Sequence, residues 1–423
     1  MSPAIVLFVT LALFIVLNIP IAVSLGLSSA ITLLSVGMPI TSLPSILQAT
    51  VQKFSLLTIP LFVLAGVLMD TGGISKRLIR LADSVIGPIH GGLGYVAVVT
   101  AMLFAAISGS GTATVAAIGS ILIPAMIKQG YDAGYSSALS AISGSLGTII
   151  PPSITFLIYG MITGESISDL FLAGIIPGVI FALCLCISVL VLSLKNGWKS
   201  SEPRKPFKEI LRAFGDSFWG LMSPVIVLGG IYSGIFTPTE AASVAVIYSF
   251  IVGVFIYREL DFHKMLVTLF ETAKTTGIIL FIIMNAGIFS WLLTQQGIAS
   301  QLTELALSLT NNKYVMLFII DIIFLLAGCV MDNTSALYIL VPIVMPIAQA
   351  LGINLIHLGT ILVVNLSIGQ ITPPVGPNLY VAADIGRVKF ENIVVKMMPL
   401  LGIAVIALLI ITYCPFLSLA LIK

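Results

Sequence analysis

The chain has 423 residues, of which 58% are hydrophobic and only 9% charged, with a formal net charge of +2 and a mean hydropathy of +1.16. A soluble domain carries about 25% charged residues, and a near-neutral balance gives no basic surface for nucleic acid, so both classes are excluded. Apolar runs of about 20 residues, enough to cross a bilayer, recur from end to end, which makes this an all-α polytopic membrane protein in a lipid bilayer.

The N-terminus lacks the charged region of a cleavable signal. Residues 3–36 are expected as one long membrane helix, kinked at Asn18 and Pro20. Residues 40–52 are more polar and read as interfacial, and 56–70 are apolar up to the stop Asp70-Thr71-Gly72-Gly73. Ile74, Leu78, Leu81 and Val85 then recur at helical spacing, with Lys76, Arg77, Arg80 and Asp83 between them. That pattern predicts an amphipathic helix over 74–86, lying in the interface plane.

The run Ile107-Ser108-Gly109-Ser110-Gly111-Thr112-Ala113-Thr114 sits inside apolar sequence. Such a break at membrane depth is tolerated only where protein buries it or it lines a cavity. It predicts a re-entrant hairpin over about 93–127 with this run at the tip. The next segment, about 133–163, carries a second break at Ser143-Gly144-Ser145-Leu146-Gly147-Thr148-Ile149-Ile150-Pro151-Pro152. Residues 169–194 form an unbroken span, and 195–217 a polar loop with Lys195, Lys199, Arg204, Lys205, Lys208 and Arg212 against Glu202, Glu209 and Asp216. The positive-inside rule places this loop in the cytoplasm. A helical pair, 219–236 and 240–257, joined at Thr237-Pro238-Thr239, returns to the same side at Arg258, His263 and Lys264.

The second half repeats the first. After apolar 265–293, Ile298, Leu302, Leu305 and Leu309 repeat the amphipathic spacing. A second hairpin, about 314–350, has its tip at Gly328-Cys329-Val330-Met331-Asp332-Asn333-Thr334-Ser335. A second broken helix carries Ser367-Ile368-Gly369-Gln370-Ile371-Thr372-Pro373-Pro374, and 391–416 is the last span. At a constant offset of 222 residues, Pro124 meets Pro346, Gly130 meets Gly352, Ser145 meets Ser367, Gly147 meets Gly369, and Pro151-Pro152 meets Pro373-Pro374. The loop after 169–194 is basic while the chain after 391–416 carries only Lys423, so the two halves are expected in opposite orientation, an inverted repeat.

Paired breaks of this kind mark the binding site of a secondary transporter. Carbonyls at a broken helix end, with Ser, Thr or Asn oxygens, suit a small hard cation such as Na⁺, and the N–H ends suit a carboxylate. The prolines lack donors, so upstream carbonyls are left free there. We assign Na⁺ binding to Ser108, Ser110, Gly144, Ser145, Gly147, Ile150, Asp332, Asn333, Thr334, Gly369 and Thr372. Substrate binding is assigned to Thr112, Thr148, Pro152, Ser335, Gln370 and Pro374, with Thr114 a further oxygen at the first tip. Asp332 alternatively caps the helix that begins at the tip, and Asp321 is expected to pair with a basic residue on a neighbouring helix. Cys184, Cys186, Cys329 and Cys414 have no zinc-like or redox spacing and read as small buried packing residues. His90, His263 and His357 are scattered, so neither a transition metal nor an organic cofactor is expected. The glycine-rich runs lack the Gly-Lys-Ser/Thr of a phosphate loop, and no catalytic triad is legible. With no ATPase motif, an ion gradient is the expected driving force.

Gly234-Ile235-Phe236-Thr237-Pro238-Thr239-Glu240-Ala241-Ala242 resembles a signature of the large membrane subunit of tripartite ATP-independent periplasmic (TRAP) transporters. Ser108–Thr114, Gly147–Ser153, Met331-Asp332-Asn333-Thr334 and Gln370–Gly376 match the family's hairpins and breaks in order, over nearly the whole chain. The resemblance implies a bacterial inner-membrane, Na⁺-coupled importer of organic anions such as sialic acid or a C4-dicarboxylate. It implies two partners, a periplasmic substrate-binding protein and a small four-helix membrane subunit, the latter not fused to this chain. It also implies an elevator. Scaffold parts are then 1–73 and 169–297, amphipathic arms 74–90 and 298–311, transport-domain parts 91–168 and 312–390, and 391–423 the final helix. Thr237-Pro238-Thr239-Glu240 falls on the scaffold, where a turn and a helix start are its expected role. The alternatives are a stand-alone anion symporter or exchanger, a passive channel, and an intramembrane enzyme using Asp321 and Asp332.

Overall fold

The computed structural model describes residues 2–198 and 205–422. All regular structure among them is helical, and ten helical segments are long and apolar enough to cross a membrane. The expected 3–36 helix is instead two, α1 (Pro3–Val16) and α2 (Ile21–Ser35), which fold back on one another. Asn18 takes a left-handed conformation (φ 61°) and Pro20 offers no N–H to continue the ladder, so the chain reverses where a kink was expected. The short α3 (Ser42–Val51) and a 3₁₀ turn lead to α4 (Thr58–Thr71).

The amphipathic stretch is α5 (Ile74–Ile86), its apolar residues Ile74 and Leu78 buried. Gly73 precedes it with φ 78°, a conformation that glycine reaches without a steric penalty. The first hairpin is α6 (Gly92–Ser108) and α7 (Gly111–Lys128), with Gly109 at φ 62° making the tip. The broken helix that follows consists of α8 (Ala133–Gly144), the single turn α9 (Leu146–Ile149) and α10 (Ile154–Thr163), with the Pro151-Pro152 bond cis.

The long span is α11 (Ile167–Asn196). Of the stretch expected as a 195–217 loop, Lys199, Glu202 and Arg204 lie outside the described residues, and from Phe207 the chain is already helical, α12 (Phe207–Tyr232). Its first turns alternate charged and aromatic residues, a composition that suits a loop but that helical periodicity sorts into faces. α13 (Pro238–Ile251) runs on into a π-helical turn, Val252–Ile256. Thr237 and Glu240 cap its start reciprocally: Thr237 N donates to Glu240 Oε2 (2.8 Å) and Glu240 N to Thr237 Oγ1 (3.3 Å). The Thr-Pro-Thr-Glu run therefore builds a helix start, and Thr239 ties it to Thr58 of α4 (2.6 Å).

α14 (Phe262–Gln295) and the second amphipathic helix, α15 (Ile298–Leu309), follow. The second hairpin is α16 (Lys313–Val330) and α17 (Asn333–Ala350), and the second broken helix α18 (Leu355–Gly369) and α19 (Pro377–Gly386), with Pro373-Pro374 cis. α20 (Phe390–Tyr413) and α21 (Phe416–Leu419) close the chain. Each hairpin lies beside its own amphipathic helix, α6 and α7 on α5, α17 on α15. The repeat is thus real in three dimensions. Cys184, Cys186 and Cys329 are half-buried and Cys414 is exposed, so the cysteines are not the buried core residues expected.

Candidate functional site

The first tip is held by hydroxyls. Ser108 Oγ and Thr114 Oγ1 are 2.8 Å apart, and Thr114 Oγ1 donates to Ser110 O (2.7 Å). Ser110 caps α7, receiving Ala113 N at 3.5 Å, and its hydroxyl is 3.3 Å from that of Thr112. The tip is clamped onto the first break. A Cβ on Gly147 would lie 2.4 Å from Thr114 Oγ1 and 2.5 Å from Ser110 O, and one on Gly144 would strike Val115. The carbonyl of Pro152 faces Gly109, and Ile154 N donates to Gly109 O (3.4 Å). Small residues are required here because two backbones meet.

The second tip repeats this arrangement with different chemistry. Gly328 and Gly369 touch through their backbones, so a Cβ on Gly369 would lie 2.5 Å from Gly328 Cα, and Val375 N donates to Cys329 O (3.1 Å). Asp332 is committed to capping α17: Ser335 N donates to Oδ2 (3.1 Å) and Ser335 Oγ to Oδ1 (2.5 Å). Asn333, next to it and buried, reaches across to Thr155 of α10 with Nδ2 (3.5 Å). Thr334 is buried in the same turn, and Thr372 Oγ1 donates back to Ile368 O (2.7 Å).

The two breaks cross each other. Thr148 Oγ1 and Ser367 Oγ are 2.5 Å apart. Asn378 Nδ2 reaches Ser145 Oγ and Ala141 O, both at 3.3 Å, and Gln370 Oε1 faces Gly111 at the start of α7. Residues of both halves thus meet at one place in the protein interior. Ile150 instead turns its side chain to Gly178 of α11, and Pro374 is exposed. Asn378 and Thr155 were not among the residues expected here, although a lone Asn just past the second break, in apolar sequence, was a usable signal.

Among the described residues, the buried amide oxygens Asn333 Oδ1, whose side chain reaches Thr155, and Gln370 Oε1 and Asn378 Oδ1, beside Gly111, have no hydrogen-bond partner. Leaving such an acceptor unpaired costs about 1–3 kcal/mol. Amide and hydroxyl oxygens and carbonyl ends are the kinds of donor that suit a hard cation. Beside them a cavity of ≈ 440 Å³ opens between the first tip and α4 and α14, lined by Ser108, Ser110, Thr112 and Ala113 on one wall and Gly66, Asp70 and Glu271 on the other. Gly66 abuts Ser108, and Asp70 lies one turn farther along α4, toward α5.

Among the described residues, Asp321 does not pair with a basic one. It accepts from Asn365 Nδ2 (3.1 Å) and Thr412 Oγ1 (3.0 Å), fully enclosed by α16, α18 and α20. Neutral donors thus stand at both carboxyl oxygens. Among the described residues, Asp321 and Asp332 share no hydrogen-bond partner.

Two helical hairpins and two broken helices related by an internal repeat, meeting at a polar centre inside a polytopic helical membrane protein, define the architecture of a membrane transporter. The family model described as "Tripartite ATP-independent periplasmic transporter, DctM component" matches residues 8–417, and the chain belongs to that family of TRAP large permeases. The chain is similar to the C4-dicarboxylate TRAP transporter large permease protein DctM of Vibrio cholerae, 41% identical, covering 97% of this chain and 96% of that one. It is 36% identical to the 2,3-diketo-L-gulonate TRAP transporter large permease protein YiaN of Escherichia coli, covering 95% and 94%. It is also 41% identical to the isethionate TRAP transporter permease protein DctMQ of Oleidesulfovibrio alaskensis over 98% of this chain, and spans 65% of that longer relative. Among solved structures, the YdaH transporter of Alcanivorax borkumensis has a similar fold, with a TM-score of 0.63 at 14% identity, covering 88% of this chain and 86% of that one.

Proposed function

We propose that this large permease imports an organic carboxylate, driven by Na⁺, in a bacterial inner membrane. The observation that carries the reading is that unpartnered amide oxygens stand where a tip of one half meets the broken helix of the other, Asn333 beside Thr155, and Gln370 and Asn378 beside Gly111. Na⁺ held by these oxygens and by Ser110 and Ser145 would tie tips to breaks, so that cation binding orders the site. The start of α7, with Ser110 and Thr112 facing the ≈ 440 Å³ cavity, carries the positive end of an 18-residue helix and suits a carboxylate. A periplasmic binding protein delivers the substrate, and a small four-helix subunit completes the membrane complex. The relatives named for C4-dicarboxylates and 2,3-diketo-L-gulonate make small carboxylates the first to try, with sialic acid next.

The mechanism in this reading is an elevator. The hairpins and broken helices move as one body against α1–α4 and α11–α14, with α5 and α15 as arms and the α11–α12 connection on the cytoplasmic side. The experiment is uptake into proteoliposomes holding this chain and its small subunit, crossed over a Na⁺ gradient and added binding protein. Uptake that needs both supports the reading. Na⁺-driven uptake without binding protein makes the chain a stand-alone symporter, and uptake indifferent to Na⁺ removes the ion assignment.

A further inference from the structure

A second cavity lies farther along α14 than the one beside the first tip. Glu271, Thr275 and Ile279 line the ≈ 440 Å³ cavity, whereas Gly287, Ser290 and Trp291 line another of ≈ 480 Å³. At 1.5 Å per residue, Gly287 stands about 12 Å past Ile279. α10 reaches both cavities, with Ile154 at its start in the first and Met161 and Ile162 near its end in the second. The second cavity is also lined by α3 and by Tyr338, five residues past Asn333 on α17. It therefore lies where α3 and α14 meet the second hairpin and the first broken helix. Its volume is within the range of small-molecule sites, about 300–1,000 Å³.

Lys53, just past α3, is the one charged residue in this lining, which contains no Asp or Glu. Among the described residues its ammonium forms no ion pair and no hydrogen bond. Tyr338 is only 8% exposed, yet its hydroxyl makes no hydrogen bond among the described residues and is not sealed inside the protein. Ser290 Oγ and Trp291 Nε1 likewise have no partner among them. The hydroxyls of Thr50 and Thr294, by contrast, are spent within their own helices, on Ile46 O (2.8 Å) and Ser290 O (3.1 Å). Four groups able to donate thus line one cavity without an acceptor, and unpaired polar groups are costly to bury. Ile46, Met161 and Ile162 supply apolar wall beside them.

We propose that this cavity is a second carboxylate site, in which Lys53 Nζ and Tyr338 OH hold the carboxylate of a small organic acid and Ser290 and Trp291 complete the set of donors. An ionised carboxylate only accepts, at about four lone-pair sites, which matches four donors and no acid. Ile46, Met161 and Ile162 then cover the carbon skeleton. A metal cation would meet an ammonium, a lipid tail would leave the donors unpaired, and inorganic phosphate would leave the apolar wall bare. The bound carboxylate bridges Lys53 and Trp291 on one body to Tyr338 of the second hairpin on the other. The inference rests on the transport reading in one respect, the direction of α14. In that reading the helix starts at the cytoplasmic side, so its far end faces the periplasm, and the site is the first that an incoming substrate meets.

Trp291 reports on this site directly. The test is tryptophan fluorescence of the purified full chain carrying Trp198→Phe and Trp219→Phe, which leaves Trp291 as its one indole, titrated with succinate and with gluconate at constant ionic strength. A saturable change in the millimolar range is expected with at least one of them. Lys53→Gln should weaken that binding on the order of tenfold, the loss of a hydrogen bond from a charged group, and Tyr338→Phe about threefold. Lys53→Arg and Lys313→Gln, the same charge loss elsewhere, should retain it. Unchanged melting temperatures verify that the variants are folded. No saturable change with either acid, or equal affinity in wild type, Lys53→Gln and Tyr338→Phe, overturns the proposal. Inorganic phosphate bound as tightly overturns it in favour of a site for any anion. Thr112→Val alters the inner cavity alone, so loss of the signal in that variant overturns it by assigning the response to that cavity. Uptake that needs no Na⁺ or no binding protein would revise the transport reading and leave these titrations standing.

Discussion

The hydroxyls of Thr148 and Ser367 lie 2.5 Å apart, 219 residues apart in sequence, at the point where the two broken helices cross. Thr148 Oγ1 lies 2.8 Å from Ser145 O and Ser367 Oγ 2.6 Å from Val363 O, and with one proton on each hydroxyl, one donates to its own carbonyl while the other donates across the crossing. This contact makes the two repeats one site. Thr148→Val keeps shape but removes the hydroxyl and leaves Ser367 one partner short. We expect Na⁺ activation of uptake to weaken several-fold, the loss of about 1 kcal/mol, with expression unchanged. Unaltered Na⁺ dependence in proteoliposomes would separate the crossing from ion binding.

Gly147 and Gly369 are repeat partners that each hold two backbones together. Alanine at Gly147 would crowd Ser110 O and Thr114 Oγ1, and alanine at Gly369 would crowd the Gly328 backbone. Overpacking of this kind costs about 1–3 kcal/mol. Both variants should insert into the membrane yet lose most uptake and melt earlier, whereas Gly402→Ala, with open space around its Cβ, should do neither. Thermal unfolding in detergent reads all three.

Asp332 offers a clean separation of capping from charge. Its carboxylate receives two bonds from Ser335. Asn caps nearly as well as Asp, and Ala costs about 1 kcal/mol. If capping is the whole role, Asp332→Asn retains uptake and Asp332→Ala loses thermal stability. A loss of Na⁺ coupling in Asp332→Asn, with stability intact, would instead assign the carboxylate to the ion.

Asp321 is expected to tolerate Asn and to reject Leu. Leucine leaves the buried Thr412 hydroxyl without its acceptor, at about 1–3 kcal/mol, and leaves Asn365 Nδ2 only the backbone carbonyl of residue 321. The predicted signature is a lower melting temperature in Asp321→Leu and a near-normal one in Asp321→Asn. Loss of uptake in a stable Asp321→Asn would show that the acid does more than hold α16 to α18 and α20.

Arg77 anchors α5 through Glu259, Tyr257 and Gly73 O (2.8 Å) at once. Its ion pair is about a quarter exposed, so the pair and the stacking together are worth about 1–2 kcal/mol. Arg77→Met should lower the melting temperature, and high salt should shrink the gap between variant and wild type.

Periodicity and repetition made much of this legible from the sequence. The amphipathic helices at Ile74–Ile86 and Ile298–Leu309 were readable because helical spacing of apolar residues survives in any context. The hairpin tips and breaks were readable because a cluster of Gly, Ser and Pro at membrane depth is stable only where protein encloses it or it lines a cavity, and the 222-residue offset doubled the signal. The reversal at Asn18 and the helix beginning at Phe207 were not readable, and for one reason. Both depend on what each segment packs against, which local composition does not encode.

The sequence by itself determined the class of the molecule and the places of its two hairpin tips and two broken helices, since these follow from local hydropathy and backbone chemistry. Only the tertiary structure decided that Asn333 faces Thr155, that Asn378 faces Ser145, and that Asp321 sits with Asn365 and Thr412 rather than with a base. Those partners lie on helices far apart in the chain, and which side chains meet is set by how helices stack and rotate against one another, a property of the packed whole.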